Sequence, residues 1–117
     1  MGDPVTYFEI SGKDPDTLRA FYADAFGWGM GTVRSSYAMA FPDGGRGIDG
    51  VVGPAPSGSG HAIFYIEVSD LDAALRKVEA AGGRRITGPV DVPEGPSIAL
   101  FADPEGHVSG LVKARAS

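Results

Sequence analysis

Glu9 and Glu67 occupy matching places in two similar segments, Phe8-Glu9-Ile10 and Ile66-Glu67-Val68. Paired carboxylates that converge on one site can serve as acid and base when burial raises the pKa of one of them. His61 adds an imidazole, which gains and loses a proton near neutral pH, and Tyr7, Tyr37 and Tyr65 add phenols that donate hydrogen bonds. Trp28, Met39, Ile63 and Phe101 supply the flat or soft apolar area that stacks on a flat, largely apolar ligand. These ten residues are the candidate ligand-binding set, with Glu9, Glu67 and His61 the candidate catalytic groups. The plainer alternatives are a polar lining for the two glutamates and core packing for Phe101.

Other chemistries find no support. The chain has no cysteine, hence no disulfide and no thiolate nucleophile. Gly58-Ser59-Gly60 lacks the strand, turn and helix of a nucleophile elbow. Gly44-Gly45-Arg46-Gly47 has no helix after it, so it is no phosphate loop. His107 follows Asp103-Pro-Glu-Gly106 and decorates a turn.

The elements that must carry these residues are written twice. Phe41, Asp43 and Gly50 recur as Phe101, Asp103 and Gly110 at a constant offset of 60, the difference between 101 and 41, 103 and 43, and 110 and 50. Upstream, strand residues 8–10 match 66–68, and the helix opening at Asp16 matches the one opening at Asp70-Leu71-Asp72. Val5 to Ser11 alternates as a half-buried strand does, with Tyr7, Glu9 and Ser11 on one face and Phe8 and Ile10 on the other. Leu18, Phe21, Tyr22, Ala25 and Phe26 then adopt helical spacing up to Gly27. Three short strands, 28–33, 37–41 and 47–52, complete a βαβββ unit.

The second copy runs from the strand 61–69 through a helix ending at Gly82-Gly83 to strands 85–90, 96–102 and 107–112. The expected class is therefore α+β: one domain over 1–117, with unit one at about 4–52, a Gly/Pro/Ser linker at 53–60 and unit two at about 61–114. Curved mixed sheets enclose a cleft, and the helices lie on the outer face. In that arrangement Phe8, Phe21, Phe26 and Phe64 face the helix-sheet core.

Ten Lys+Arg against fifteen Asp+Glu give a net charge of −5, which argues against nucleic acid or an anionic membrane as partner. No apolar run reaches signal-peptide or membrane-spanning length. A cytoplasmic location is expected.

In order, spacing and duplication, these segments resemble the vicinal oxygen chelate superfamily, which includes glyoxalase I, extradiol dioxygenases and bleomycin-resistance proteins. The carriers are Tyr7-Phe-Glu-Ile10 before Asp14-Pro15, Ala20-Phe-Tyr22 with Phe26-Gly-Trp28, Phe64-Tyr-Ile-Glu-Val68 before Asp70-Leu-Asp-Ala73, Gly82-Gly83, and Phe101-Ala-Asp-Pro-Glu-Gly106 before Gly110-Leu111. The resemblance implies paired βαβββ units, commonly as homodimers. Its catalytic members hold a divalent ion on four side chains, one from each first strand and one from each last strand.

Carried onto this chain, those positions read Tyr7, Ile63, Gly50 and Gly110. A phenol is a poor ligand at neutral pH, and the other three offer no donor at all. The expectation is no metal and no other cofactor. The resemblance then implies a metal-free small-molecule binding protein like the antibiotic-sequestering members, taking a flat or aromatic ligand as a homodimer. The alternative is an enzyme, either a lyase or dioxygenase with a displaced metal at His61, Glu9 and Glu67, or a metal-free isomerase or cyclase using the same groups.

Overall fold

A computed structural model describes residues 2–33, 37–42, 45–55, 59–92 and 95–114. The chain forms β1 (Val5–Gly12), α1 (Pro15–Phe26), β2 (Gly29–Met30), β3 (Ala38–Phe41), β4 (Gly50–Pro54), β5 (His61–Val68), α2 (Leu71–Ala80), β6 (Arg84–Asp91), β7 (Ser97–Ala102) and β8 (Val108–Lys113). This is the βαβββ pattern twice, an α+β fold of mixed strands as the sequence predicts. Two compact units result: Thr6–Ile63, and Phe64 onward together with the N-terminal residues up to Val5.

In the first unit the strand order is β2-β3-β4-β1, with β4 parallel to β1 and antiparallel to β3. Asp14 starts α1 by accepting the Thr17 backbone N–H, and Gly27 stops it in the left-handed conformation at φ 73°. The strand expected at 28–33 shrinks to two residues. β4 runs past the predicted linker start, because Gly53 pairs with Ser11 and Pro54 with Gly12. Glycine is required at 53, since the Tyr37 ring occupies the space of a Cβ there. The Pro42–Arg46 hairpin connection falls partly outside the described residues.

The aromatic residues of α1 do not face the sheet as their spacing predicts. Phe21 and Phe26 are 54% and 62% exposed, and the buried residue of the helix is Arg19. The sheet in this unit buries Ala38, Ala40 and Val52. The long Arg19 stem lies down instead, and its guanidinium bonds the Val52 carbonyl at 3.4 Å and pairs with Asp16. The rings of Phe21, Tyr22, Phe26 and Trp28 assemble on one another, with Tyr22 and Trp28 stacked at 4.8 Å.

In the second unit the order is β5-β8-β7-β6, with β8 parallel to β5 and β7 antiparallel to both β8 and β6. Asp70 caps α2 through the Ala73 N–H, and the helix lays Leu71 and Leu75 on Val68, Ala99 and Leu111. That cluster is the unit's core, joined from the side by Ile66, Ala74 and Phe101. Phe64, expected in such a core, is 45% exposed.

Candidate functional site

Residues paired across a ladder project from the same side of the sheet, so register sorts each strand into two faces. In the first unit Glu9 pairs with Val51 and Val51 with Met39, which makes Glu9, Val51 and Met39 one row. By alternation Tyr7, Ser11 and Tyr37 share that face. The other face carries Phe8, Ile10, Gly50, Val52, Ala38 and Ala40, the side on which Arg19 of α1 reaches Val52.

Glu9 is the centre of the open face. Its Oε1 lies 3.2 Å from Nε2 of His61, with side-chain exposures of 17% for the glutamate and 36% for the histidine. Burial and then the Glu9 charge push the Tyr7 phenol up to about 12. The same two causes, in the same order, raise Tyr37. Both phenols therefore stay protonated, and act as donors, across the physiological range. Met39 offers its thioether beside them at 37% exposure.

The backbone holds His61 in place. Its N–H donates to Ser11 Oγ at 3.2 Å, and Ser11 is buried. Gly60, at φ 74°, lies so close that a Cβ would overlap the Ser11 carbonyl oxygen and stand 2.9 Å from Gly12 Cα. Sequence reasoning misses Ser11, Val51 and Gly60 as site residues. Two-residue alternation from Tyr7 through Glu9 reaches Ser11, whereas nothing local marks the other two.

Five other candidates remain, two in the first unit and three in the second. Trp28 contacts Phe8 at 5.4 Å and Tyr22 on the α1 side, so it is not on the Glu9 face. Phe101 joins the α2-side core, the plainer of its two readings. Tyr65 is buried at 2% exposure and covers Gly110. Glu67 belongs to the second unit and is half-buried in register with Val112. Ile63 is half-buried.

The donor set does not fit the family's divalent ion. Gly50 pairs with Phe8 and so lies on the α1 face, where a Cβ would meet the Phe8 ring and carbonyl oxygen at 2.5 Å. The β4 residue beside Glu9 is Val51, equally without a donor. Gly110 pairs with Tyr65, whose ring fills the Cβ position. No group of three or more His, Cys, Asp or Glu able to hold a metal exists among the described residues. A hollow of about 310 Å³ does exist within the second unit, lined by Asp70, Asp72, Asp91, Ser97 and Lys113. Two of its carboxylates are engaged internally, Asp70 in capping α2 and Asp91 with the Ser97 hydroxyl.

Strand order, duplicated units and the Glu9 face together define a glyoxalase-like scaffold. The profile of the Glyoxalase/Bleomycin resistance protein/Dioxygenase superfamily matches residues 5–109, and the chain belongs to that superfamily. It is similar to CFP32 of Mycobacterium tuberculosis (strain CDC 1551 / Oshkosh), 32% identical over 113 residues, covering 90% of this chain and 42% of that protein. Similarity to the anthracycline biosynthesis protein DnrV of Streptomyces peucetius is 30% over 118 residues, covering 86% of this chain and 43% of DnrV. The chain thus spans less than half the length of both. Among solved structures, the methylmalonyl-CoA epimerase of Mycobacterium tuberculosis superposes with a TM-score of 0.68 at 17% identity, covering 96% of this chain and 88% of the epimerase. At that identity the likeness is one of fold.

Proposed function

We propose that this protein binds a flat, largely apolar small molecule on the face formed by Tyr7, Glu9, Tyr37, Met39 and Val51, without a metal ion. The observation that carries the reading is the row Glu9, Val51, Met39 flanked by two protonated phenols. An apolar, polarizable surface there meets a few directional polar groups, the make-up of small-molecule sites. The relationship to DnrV, named for anthracycline biosynthesis, supports a planar polycyclic ligand. We further place the protein in the cytoplasm as a homodimer. The absence of cysteine suits a reducing compartment, and homodimers are what the family resemblance implies.

The test is an NMR titration with 1,4-dihydroxyanthraquinone. The expected result is a shift of the Met39 methyl and Tyr37 ring signals, with binding weakened roughly tenfold in Met39→Ala, the loss of about 1.4 kcal/mol of contact. Shifts confined to the exposed rings of Phe21 and Phe26 would place the ligand elsewhere and overturn the reading. So would native mass spectrometry showing one Ni²⁺ or Zn²⁺ retained per chain and needed for binding.

A further inference from the structure

We propose that Glu9 and His61 are a metal-free proton-transfer dyad that isomerises a ketone bound on this face, with His61 the catalytic base and Glu9 its positioning residue. The inference rests on the binding reading above and gives that site an activity.

The geometry separates the two roles. Glu9 Oε1 and His61 Nε2 are 3.2 Å apart, so the carboxylate accepts the Nε2–H and fixes the neutral ring's proton on that nitrogen. Nδ1, on the other edge of the ring, then carries the basic lone pair. Glu9 is the more sheltered partner at 17% exposure, while His61 at 36% leaves room for a bound molecule to approach. An aligned base must also be held still. His61 is held through its own N–H on Ser11 and through Gly60, whose Cα lies against the Ser11–Gly12 backbone.

The chemistry closes without a co-reactant. Nδ1 takes a proton from the carbon beside the carbonyl, the C–H electron pair becomes the enolate double bond, and the carbonyl π pair moves to oxygen. A protonated phenol, Tyr37 or Tyr7, donates to that oxygen as its charge grows. Histidine then returns the proton, on the face from which it was taken, to a conjugated carbon of the enolate, while return to the original carbon regenerates the substrate and, in D₂O, exchanges its proton. The product is an isomer of the substrate, and no oxidant, reductant or ion is consumed. The substrate class is a planar, aryl-fused ketone with an acidic C–H.

The experiment follows loss of the C1 protons of 2-tetralone in D₂O by ¹H NMR, with binding read in the same tube by saturation transfer. Wild-type protein should accelerate exchange over buffer, and His61→Ala and His61→Asn should each lose roughly 10²-fold while His107→Ala loses nothing. Glu9→Gln should lower the rate about tenfold or more and shift the His61 ¹⁵N signals away from the Nε2–H tautomer, which a purely structural role would not do. A bound ketone with no accelerated exchange would overturn the dyad and leave the binding reading standing, as would exchange undiminished in both folded His61 variants. No saturation transfer to the ketone at all would overturn both.

Discussion

The ring of Tyr65 lies where a side chain on Gly110 would have to go. The two residues pair directly across the parallel β5–β8 ladder, and a Cβ built on Gly110 falls inside the contact distance of the ring's Cδ2 and Cε2. Tyr65 is 2% exposed, so the ring is clamped and has little space to retreat. The same relation holds in the other unit, where Phe8 covers Gly50. In each unit an aromatic ring thus covers a bare glycine of the last strand, Gly110 on the side away from α2 and Gly50 on the α1 side with Phe8.

Gly110→Ala should therefore destabilise the protein by about 1–3 kcal/mol, the cost of overpacking. In a Tyr65→Leu background most of that cost should vanish, giving a coupling energy of about 0.5–3 kcal/mol in a double-mutant cycle measured by urea unfolding. Additive effects would show that the ring does not determine the glycine. Gly110→Glu, which restores a carboxylate to the family position, should lower Tm without creating retained Ni²⁺ or Zn²⁺.

Gly60 and Gly106 separate conformation from crowding. Both have positive φ, 74° and 91°, but a Cβ on Gly106 meets nothing within 4 Å while one on Gly60 runs into Ser11 and Gly12. Gly106→Ala should cost only the left-handed strain, about 1–2 kcal/mol. Gly60→Ala should cost more in the same thermal melt, by about 1–3 kcal/mol, and should also displace the His61 ring signals. Equal melting points for the two variants would show that crowding at Gly60 adds nothing to the strain.

Tyr7 ties stability to alkaline pH. Its pKa is raised from 10.0 to about 12, by burial first and by Glu9 second. The folded state thus holds a proton that the unfolded chain releases. The associated stability is fully present below pH 10 and is lost as pH rises through about 12. Glu9→Gln removes only the smaller cause, so the tyrosinate titration followed by ultraviolet absorbance should move down from about 12 without reaching 10.0. Tyr7→Phe should delete that late step and leave the Tyr37 titration, also raised, in place.

Architecture was legible because it is written twice and punctuated by caps. Asp14, Gly27 and Asp70 act where their types predict, and helix α1 ends at Phe26, just before its glycine. Alternation in the sequence pairs Tyr7 with Glu9 and Tyr37 with Met39 along their own strands, but only the β1–β4 and β4–β3 registers bring the two pairs to one face. Features set by depth or by partner strands were not legible. Residue counting puts Gly50 with Tyr7, yet the β1–β4 register turns it to the α1 side with Phe8. Phe101 reads equally as pocket or core until Leu75 and Ala99 are seen beside it. Periodicity shows which helical residues share a stripe, but it does not show how far each is covered, and in α1 Arg19 is buried while Phe21 and Phe26 stay more than half exposed.

The sharpest consequence of that difference in burial is that the two helices should respond very unequally to truncation. Leu75 is fully buried at 0% exposure among Val68, Leu71, Ala99 and Leu111, and Leu75→Ala removes methyl groups from a site with little freedom to collapse. It should cost about 2–5 kcal/mol. Phe21 and Phe26 belong to the equivalent helix and carry larger side chains, so burial read from the sequence would make them worth at least as much. Being more than half exposed, they forfeit chiefly ring contacts with Tyr22, Trp28 and each other, at 5.0 to 6.4 Å between centroids. Such contacts are worth about 0.5–1.5 kcal/mol. Phe21→Ala or Phe26→Ala should accordingly cost no more than about 1.5 kcal/mol in urea unfolding, well short of Leu75→Ala. A phenylalanine variant as damaging as Leu75→Ala would mean that these rings are covered in solution.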